Sequence, residues 1–257
     1  ADQVELWRNR PRGEMSAALH IDTGMNRLGM PFKDGKALIG ELADLRTGGI
    51  DLLMSHLVSA ERPADAMNRQ QLEAFRQLCA INSSVPASLA NSAGVFLGPE
   101  YHYDMARVGI SLYGGAPVAG EGNPMQPVVR VRARILQERK AYPGETVGYD
   151  ALYRLGRESR LITIAAGYAD GLPTVFTNRG FVAIEGQRAP MVGRVSMDLI
   201  TVDVTDLPPE LTKPGGWVDL IGPGAEVDDV AESAGLISYE VLTSLSHRFE
   251  RVYSGGG

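Results

Sequence analysis

The sequence predicts an α/β first half followed by a mainly antiparallel β second half, and three changes along the chain predict it. Short apolar runs alternate with amphipathic helical stretches as far as residue 112. Gly and Pro then crowd residues 114–127, and beyond them the apolar period becomes two. The domains drawn from these changes are 1–122 and 123–257. Both have the material for a core, since the 257 residues are 44% hydrophobic and 22% charged. The formal net charge of −6 argues against nucleic acid as the main partner. No run is long and apolar enough for a membrane span. Cys79 is the only cysteine, which leaves no disulfide framework and no cysteine-based zinc site, and fits a reducing, cytoplasmic setting.

Taken in order, the chain opens at Ala1 in a helix-like stretch, from which a missing upstream segment is expected. Residues 17–22 read as a strand. Residues 35–47 read as a helix, with Leu38, Leu42 and Leu45 on one face. Residues 51–57 are strand-like. Residues 63–82 read as a helix with Pro63 in its first turn and Leu72, Phe75, Leu78 and Cys79 on one face. Two more short strands fall at 86–91 and 105–112. After the linker, Val129, Val131, Ala133 and Ile135 alternate with Arg130, Arg132 and Arg134, the pattern of a half-buried antiparallel strand over 128–136. The arginine row reads as a solvated sheet face rather than a nucleic-acid stripe. Further strands are expected at 160–165, 180–185, 188–195, 199–204 and 217–221, with helices at 227–235 and 238–248.

The chemistry gathers at strand ends. Asp22-Thr23-Gly24 suits a tight exit loop that leaves Arg27 either at a ligand site or on a plain surface turn. His56 follows the next strand, as a ligand-facing residue or a satisfied structural one. Asn91-Ser92-Ala93 follows the third and offers either anion donors or a helix cap. Arg107 lies in the fourth and needs a partner, for which an internal salt bridge would serve. Four strand ends in succession thus carry Arg27, His56, Asn91-Ser92 and Arg107. Four strands are half of an eight-stranded barrel, whose carboxyl ends bind ligands.

Six segments carry a resemblance: HIDTGMNRLGM (20–30), LANSAGVF (89–96), MARVGISLYGGAP (105–117), GETVGYDALY (144–153) with IAAGYADGLP (164–173), VGRVSMD (192–198) and SYEVLTSLSHR (238–248). Over nearly its whole length the chain resembles the alanine racemases, bacterial enzymes dependent on pyridoxal 5′-phosphate (PLP). The resemblance implies a (β/α)8 barrel followed by a mainly β domain. It also implies a homodimer whose active sites are shared across subunits, and interconversion of L- and D-alanine that supplies D-alanine for peptidoglycan.

It further implies roles. Arg107 would hold the pyridine nitrogen of PLP, with His56 fixing Arg107. Ser92, Gly109, Ile110 and Tyr239 would hold the phosphate, beside Asn91. Arg27 would reach the phenolic oxygen and the substrate carboxylate. Tyr149 would be the second catalytic base and Met197 would offer its N–H to the substrate carboxylate, both from the partner subunit. Tyr168, Arg194 and Glu61 would line the entrance, and no metal is implied. None of Lys33, Lys36, Lys140 and Lys213 stands in the family's PLP-lysine motif. The expectation is therefore the second half of the barrel plus the complete β domain, inactive without the lysine-bearing half.

Two departures stand out: His20 where many relatives carry a lysine that can brace the arginine, and Thr174 where an arginine is common in the entrance. Serine or broad-spectrum racemisation, or a non-catalytic PLP-binding or dimerisation fragment, are the alternatives. The pairing of Tyr149 with Met197 speaks against a mere carrier, which needs no second base.

Overall fold

The computed structural model describes residues 2–9, 15–42 and 44–255. The chain divides into two compact units, one of residues 1–112 with 116–124, the other of residues 113–115 with 125–257.

The first unit runs α1 (Asp2–Asn9), β1 (Ala17–Asp22), β2 (Met30–Pro31), α2 (Phe32–Glu41), β3 (Ile50–Met54), α3 (Ala66–Ile81) and β4 (Ala87–Ser88). Its sheet has the order β2-β1-β3-β4, and every pair is parallel. Leu19, Ile21 and Leu53 from the strands pack with Ile39 of α2 and Leu72, Phe75 and Leu78 of α3. The α3 face expected from its spacing is thus the buried one. Pro63, however, lies before the helix, because Asp65 is its N-cap and accepts the Met67 N–H at 3.0 Å. The helix expected over 35–47 ends at Glu41, with Leu42 already extended. Leu45 remains fully buried, but from a separate helical turn that Asp44 caps.

The fourth expected strand is the main departure. Within 105–112 only Arg107 pairs, through a parallel bridge to Asn91. The Asp104 carboxylate accepts the Ala87 N–H at 2.8 Å, so a side chain takes the place of a ladder bond. The backbone then coils into a single helical turn, Ile110–Tyr113.

The second unit contains β5 (Val131–Ala141), the ribbon β6 (Thr146–Val147) and β7 (Tyr153–Arg154), β8 (Ser159–Ile164), β9 (Phe181–Ile184), β10 (Gln187–Pro190), β11 (Ile200–Asp203), β12 (Trp217–Ile221), α4 (Val227–Ser233) and α5 (Ser238–Ser244). Its six-stranded sheet has the order β10-β9-β12-β5-β8-β11, antiparallel throughout. A bridge from Met191 to Val202 brings its two edges together, which leaves no long open edge. Val131, Ala133 and Ile135 point into the core, as their alternation predicts.

β5 runs five residues beyond the expected 136. A register shift between Ile135 and Gln137 bulges its pairing with β8, which continues to Ala141, and the polar run from Gln137 to Lys140 carries no apolar signal. The arginine row has partners within the unit. Arg130 pairs with Asp219 at 2.6 Å, and Arg132 and Arg134 lie over the Trp217 ring at 4.7 and 3.7 Å. Among the described residues no helix is long and apolar enough to cross a membrane.

Gly171 holds α5 to the loop before it. Its φ is +98°, and a Cβ there would lie 2.0 Å from the Ser244 carbonyl oxygen. Gly171→Ala is therefore expected to destabilise the second unit by about 2–4 kcal/mol. Urea unfolding followed by Trp217 fluorescence measures this, and a loss under about 0.5 kcal/mol, the range of neutral surface changes, would show that the close approach is relieved elsewhere.

Candidate active site

The first unit brings the predicted strand-end residues together at the carboxyl ends of its parallel strands. At the β1 exit the Asp22 carboxylate accepts three backbone N–H groups, from Gly24 at 2.7 Å, Met25 at 2.8 Å and Asn26 at 2.6 Å. Burial alone would raise this carboxyl, but the three bonds outweigh it and hold Asp22 below its ordinary range. The same bonds shape the loop that carries the exposed Arg27. A cavity of about 330 Å³ adjoins this loop, lined by Asp22, Thr23, Gly24, Asn26, Pro31 and Phe32, and has neither His56 nor Arg107 in its wall.

Arg107 is the centre of the arrangement. Its Nη1 donates to the Ser88 hydroxyl at 2.5 Å, and its Nη2 donates to the Ser55 carbonyl at 2.5 Å and to His56 Nδ1 at 3.3 Å. The Ser88 hydroxyl passes its own hydrogen to the Met105 carbonyl at 2.6 Å. Burial lowers Arg107 from its ordinary value, yet a guanidinium stays protonated in a protein. Burial first, and then the charge of Arg107, push His56 down to about 4. It is therefore a neutral ring at neutral pH, accepting at Nδ1 and carrying its hydrogen on Nε2. His20 is lowered by the same two causes. Of the Arg107–His56 pair, only Arg107 supplies positive charge.

Beside this centre the Gly109 N–H donates to the buried Ser92 Oγ at 2.8 Å, which leaves the serine's own hydrogen to donate elsewhere. A Cβ at Gly109 would meet nothing within 4 Å, so open space adjoins that backbone. Ile110 is buried and opens the next turn. Asn91 uses its side-chain oxygen to accept the Gly94 N–H at 2.9 Å, which is the cap reading of that residue. Glu61 is exposed and its carbonyl accepts the Ala119 N–H.

The second unit holds the remaining candidates in three places. Tyr149 is 69% exposed on a loop with left-handed backbone at Gly148, Asp150 and Ala151. Asp150 pairs with Arg194, and a Cβ at Gly148 would press on the Arg194 backbone N, so the Tyr149 and Arg194 loops are neighbours. Tyr168 and Met197 form a second neighbourhood, since the Tyr168 N–H donates to the Ser196 carbonyl and the Ala169 N–H to the Met197 carbonyl. Tyr239 lies on α5 and is 41% exposed.

Four neighbours of the candidate residues escaped the sequence reading: Ser55, Ser88 and Gln71, all fully buried, and Arg248, which spans Asp170 at 3.3 Å and Asp198 at 2.8 Å. A polar side chain on the apolar face of α3 was the available signal for Gln71.

Two family models match the chain, that of the alanine racemase N-terminal domain over residues 1–117 and that of the alanine racemase C-terminal domain over 128–253. The alanine racemase of Methylobacterium sp. (strain 4-46) is 47% identical over 255 residues, which are 98% of this chain and 70% of that protein. This chain belongs to the alanine racemase family. The alanine racemase of Rhizobium meliloti (strain 1021) is 45% identical over 95% of this chain and 68% of its own length. Among solved structures, alanine racemase from Bartonella henselae with covalently bound pyridoxal phosphate superposes with a TM-score of 0.88 at 38% identity, covering 98% of this chain and 70% of that one. The biosynthetic alanine racemase from Pseudomonas aeruginosa gives 0.90 at 35% identity, over 99% and 72%.

The expected fold class, α/β of the barrel type followed by antiparallel β, is the family's. The narrower expectation, of an inactive half-barrel piece, gains no support from these comparisons, in which both racemase domain models match. Lys33 and Lys36 lie on α2, Lys140 on β5 and Lys213 in the turn before β12.

The neutral state of His56 has a measurable consequence. Its value is about 4 in the fold against 6.5 for an ordinary histidine, so between these the unfolded chain binds the extra proton. Stability is then fully present above pH 6.5 and lost as pH falls toward 4. His56→Gln removes this contribution. The wild type is expected to lose more thermal stability than the variant over that interval, and parallel Tm–pH curves would show that His56 is not held neutral.

Proposed function

We propose that the chain interconverts L- and D-alanine with pyridoxal 5′-phosphate by a two-base mechanism, supplying D-alanine for peptidoglycan in the cytoplasm. The observation that carries the reading is the Arg107 guanidinium, held by Ser55, Ser88 and a neutral His56. Three of its five hydrogens are engaged there, so Nε and Nη1 each keep one for a further acceptor. The donor set fits PLP: a cation for the ring nitrogen, and for the phosphate the Ser92 hydroxyl, oriented by the Gly109 N–H, with the adjoining Ile110 backbone beside the open space at Gly109. The covalently bound pyridoxal phosphate of the Bartonella henselae relative supports PLP as the cofactor.

When bound, PLP withdraws electron density from the α-carbon of an amino acid and makes its proton removable. Arg107 donates a hydrogen to the ring nitrogen without surrendering it, which favours plain proton exchange over transamination. Arg27 draws the phenolic oxygen and the substrate carboxylate. Tyr239 adds a phosphate contact and Asn91 braces the loop that carries Ser92. Tyr149 moves the α-proton on one face through its phenolic oxygen, the lysine of the family's PLP motif would take or give the proton on the opposite face, and Met197 offers its N–H to the carboxylate. Tyr149 and Met197 serve the site of a second copy in a homodimer. Tyr168, Arg194 and Glu61 line the entrance. The proposed boundary at residues 122 and 123, two residues before the division between the compact units at 124 and 125, separates the half with Arg107, His56 and Ser92 from the half with Tyr149, and limited proteolysis is expected to cut first within 114–127.

Directional exchange tests the two-base reading. In deuterated water with PLP supplied, Tyr149→Phe is expected to slow α-proton exchange of L-alanine by about 100-fold or more, with a smaller loss from D-alanine. Equal losses from both enantiomers, with PLP absorbance unchanged, would remove Tyr149 from the reaction. Arg107→Lys is expected to lower racemisation and raise side transamination, because lysine is a point donor that loses its proton on burial. Undiminished racemisation would place Arg107 away from the ring nitrogen.

A further inference from the structure

Gln71 sits on α3, with no surface exposed, on the face that also buries Leu72, Phe75 and Leu78. A primary amide in an apolar face costs stability unless its hydrogen bonds are made. Here they are made to two other strand exits. Oε1 accepts the Val58 N–H at 2.8 Å, while Nε2 donates to the His56 carbonyl at 2.8 Å and to Thr23 Oγ1 at 3.1 Å. Thr23 Oγ1 in turn shares a hydrogen bond of 2.7 Å with the fully buried Ser55 hydroxyl. Gln71 thus reaches His56 directly and Ser55 through Thr23, and both of these hold Arg107: Ser55 through its carbonyl and His56 through its ring.

We propose that Gln71 is a positioning residue that ties the β1 and β3 exits to α3 and so sets Ser55 and His56 at the spacing that holds Arg107. The inference rests on the reading of Arg107 and His56 given above. It assigns a racemisation role to a side chain that touches neither cofactor nor substrate. A purely space-filling role would require only volume at this position. The three bonds instead fix the direction of the His56 peptide, and with it the ring that meets Arg107.

The test follows the His56 ring by NMR in the full chain labelled at histidine, with the signal assigned by its loss in His56→Gln. Arg107, Arg27 and His20 face this ring, and burial adds to their effect, so the wild type is expected to titrate at about 4. Gln71→Met keeps the volume and removes all three bonds. In it the titration is expected to rise toward 6.5, as the ring leaves Arg107. Leu78→Ala, on the same buried face but outside the network, is expected to lower Tm at least as much and leave His56 unmoved. Should Gln71→Met not fold, Thr23→Val cuts the same tie at its far end and is expected to shift His56 in the same direction by less. A low titration unmoved by Gln71→Met or Thr23→Val, or a rise matched in Leu78→Ala, overturns the positioning role and leaves the Arg107–His56 pair standing. A wild-type titration near 6.5 overturns the pair itself, and the inference with it.

Discussion

A guanidinium taken half out of water must find acceptors, and the first unit is arranged around that requirement. Arg107 cannot lose its proton, so its surroundings adapt instead. A backbone carbonyl, a hydroxyl and an imidazole nitrogen converge on it from the residue after β3, from β4 and from the second residue after β3. Parallel pairing makes this convergence possible, because it brings the carboxyl ends of successive strands to one side of the sheet. The arginine then dictates the state of its neighbours. A protonated His56 would face the cation across 3.3 Å, and the neutral ring is the form that can accept from it. The buried hydroxyls of Ser55 and Ser88, the half-buried hydroxyl of Thr23 and the amide of Gln71 complete a network in which the polar groups satisfy one another.

The second unit holds its candidate loops by different means. Its ion pairs there, Asp150 with Arg194 and Arg248 with Asp170 and Asp198, have exposed arginines. Such pairs contribute about 0–1 kcal/mol each and do little to fix a loop. Backbone approach does more. A Cβ at Gly167 would lie 2.3 Å from the Ser196 and Met197 carbonyl oxygens, and one at Gly193 2.7 Å from the Val147 carbonyl. Glycine therefore seats the Tyr168 loop against Met197 and the Tyr149 ribbon against Arg194, and the ion pairs decorate contacts already made by the main chain. The antiparallel sheet behind them, joined at its edges by Met191 and Val202, is a rigid base for loops of this kind.

How far the sequence could be read follows from what each residue's signal depends on. Spacing within one element was enough for α3 and for the Val131–Ile135 face, since burial repeats with the local period. It failed at 105–112, where apolar residues suggest a strand but Asp104 takes a ladder position with its carboxylate. Periodicity carries no information about such a substitution. Arg27, His56, Ser92 and Arg107 were legible because they recur at successive strand ends. Gln71 was not, because its meaning lies in partners 48 and 15 residues away, at Thr23 and His56. A lone glutamine reads as a minor blemish in an amphipathic pattern until those partners are in place.

The chain as a whole is acidic, at −6, yet its strand-end site is not. Asp22 is the carboxylate nearest in sequence to Arg27, and its oxygens are committed to three backbone N–H groups that shape the loop. His20 and His56 are both pushed toward the neutral form, so they neither cancel nor add to the charge of Arg107 and Arg27. A cationic lysine in place of His20 would have brought a third positive charge among these groups. A neutral imidazole in that position leaves the two guanidiniums less repelled and the site still positive. Fixed positive charge of that kind is worth most to a ligand that carries its own negative groups into a partly desolvated place. A phosphate and a carboxylate on one small molecule are groups of that description.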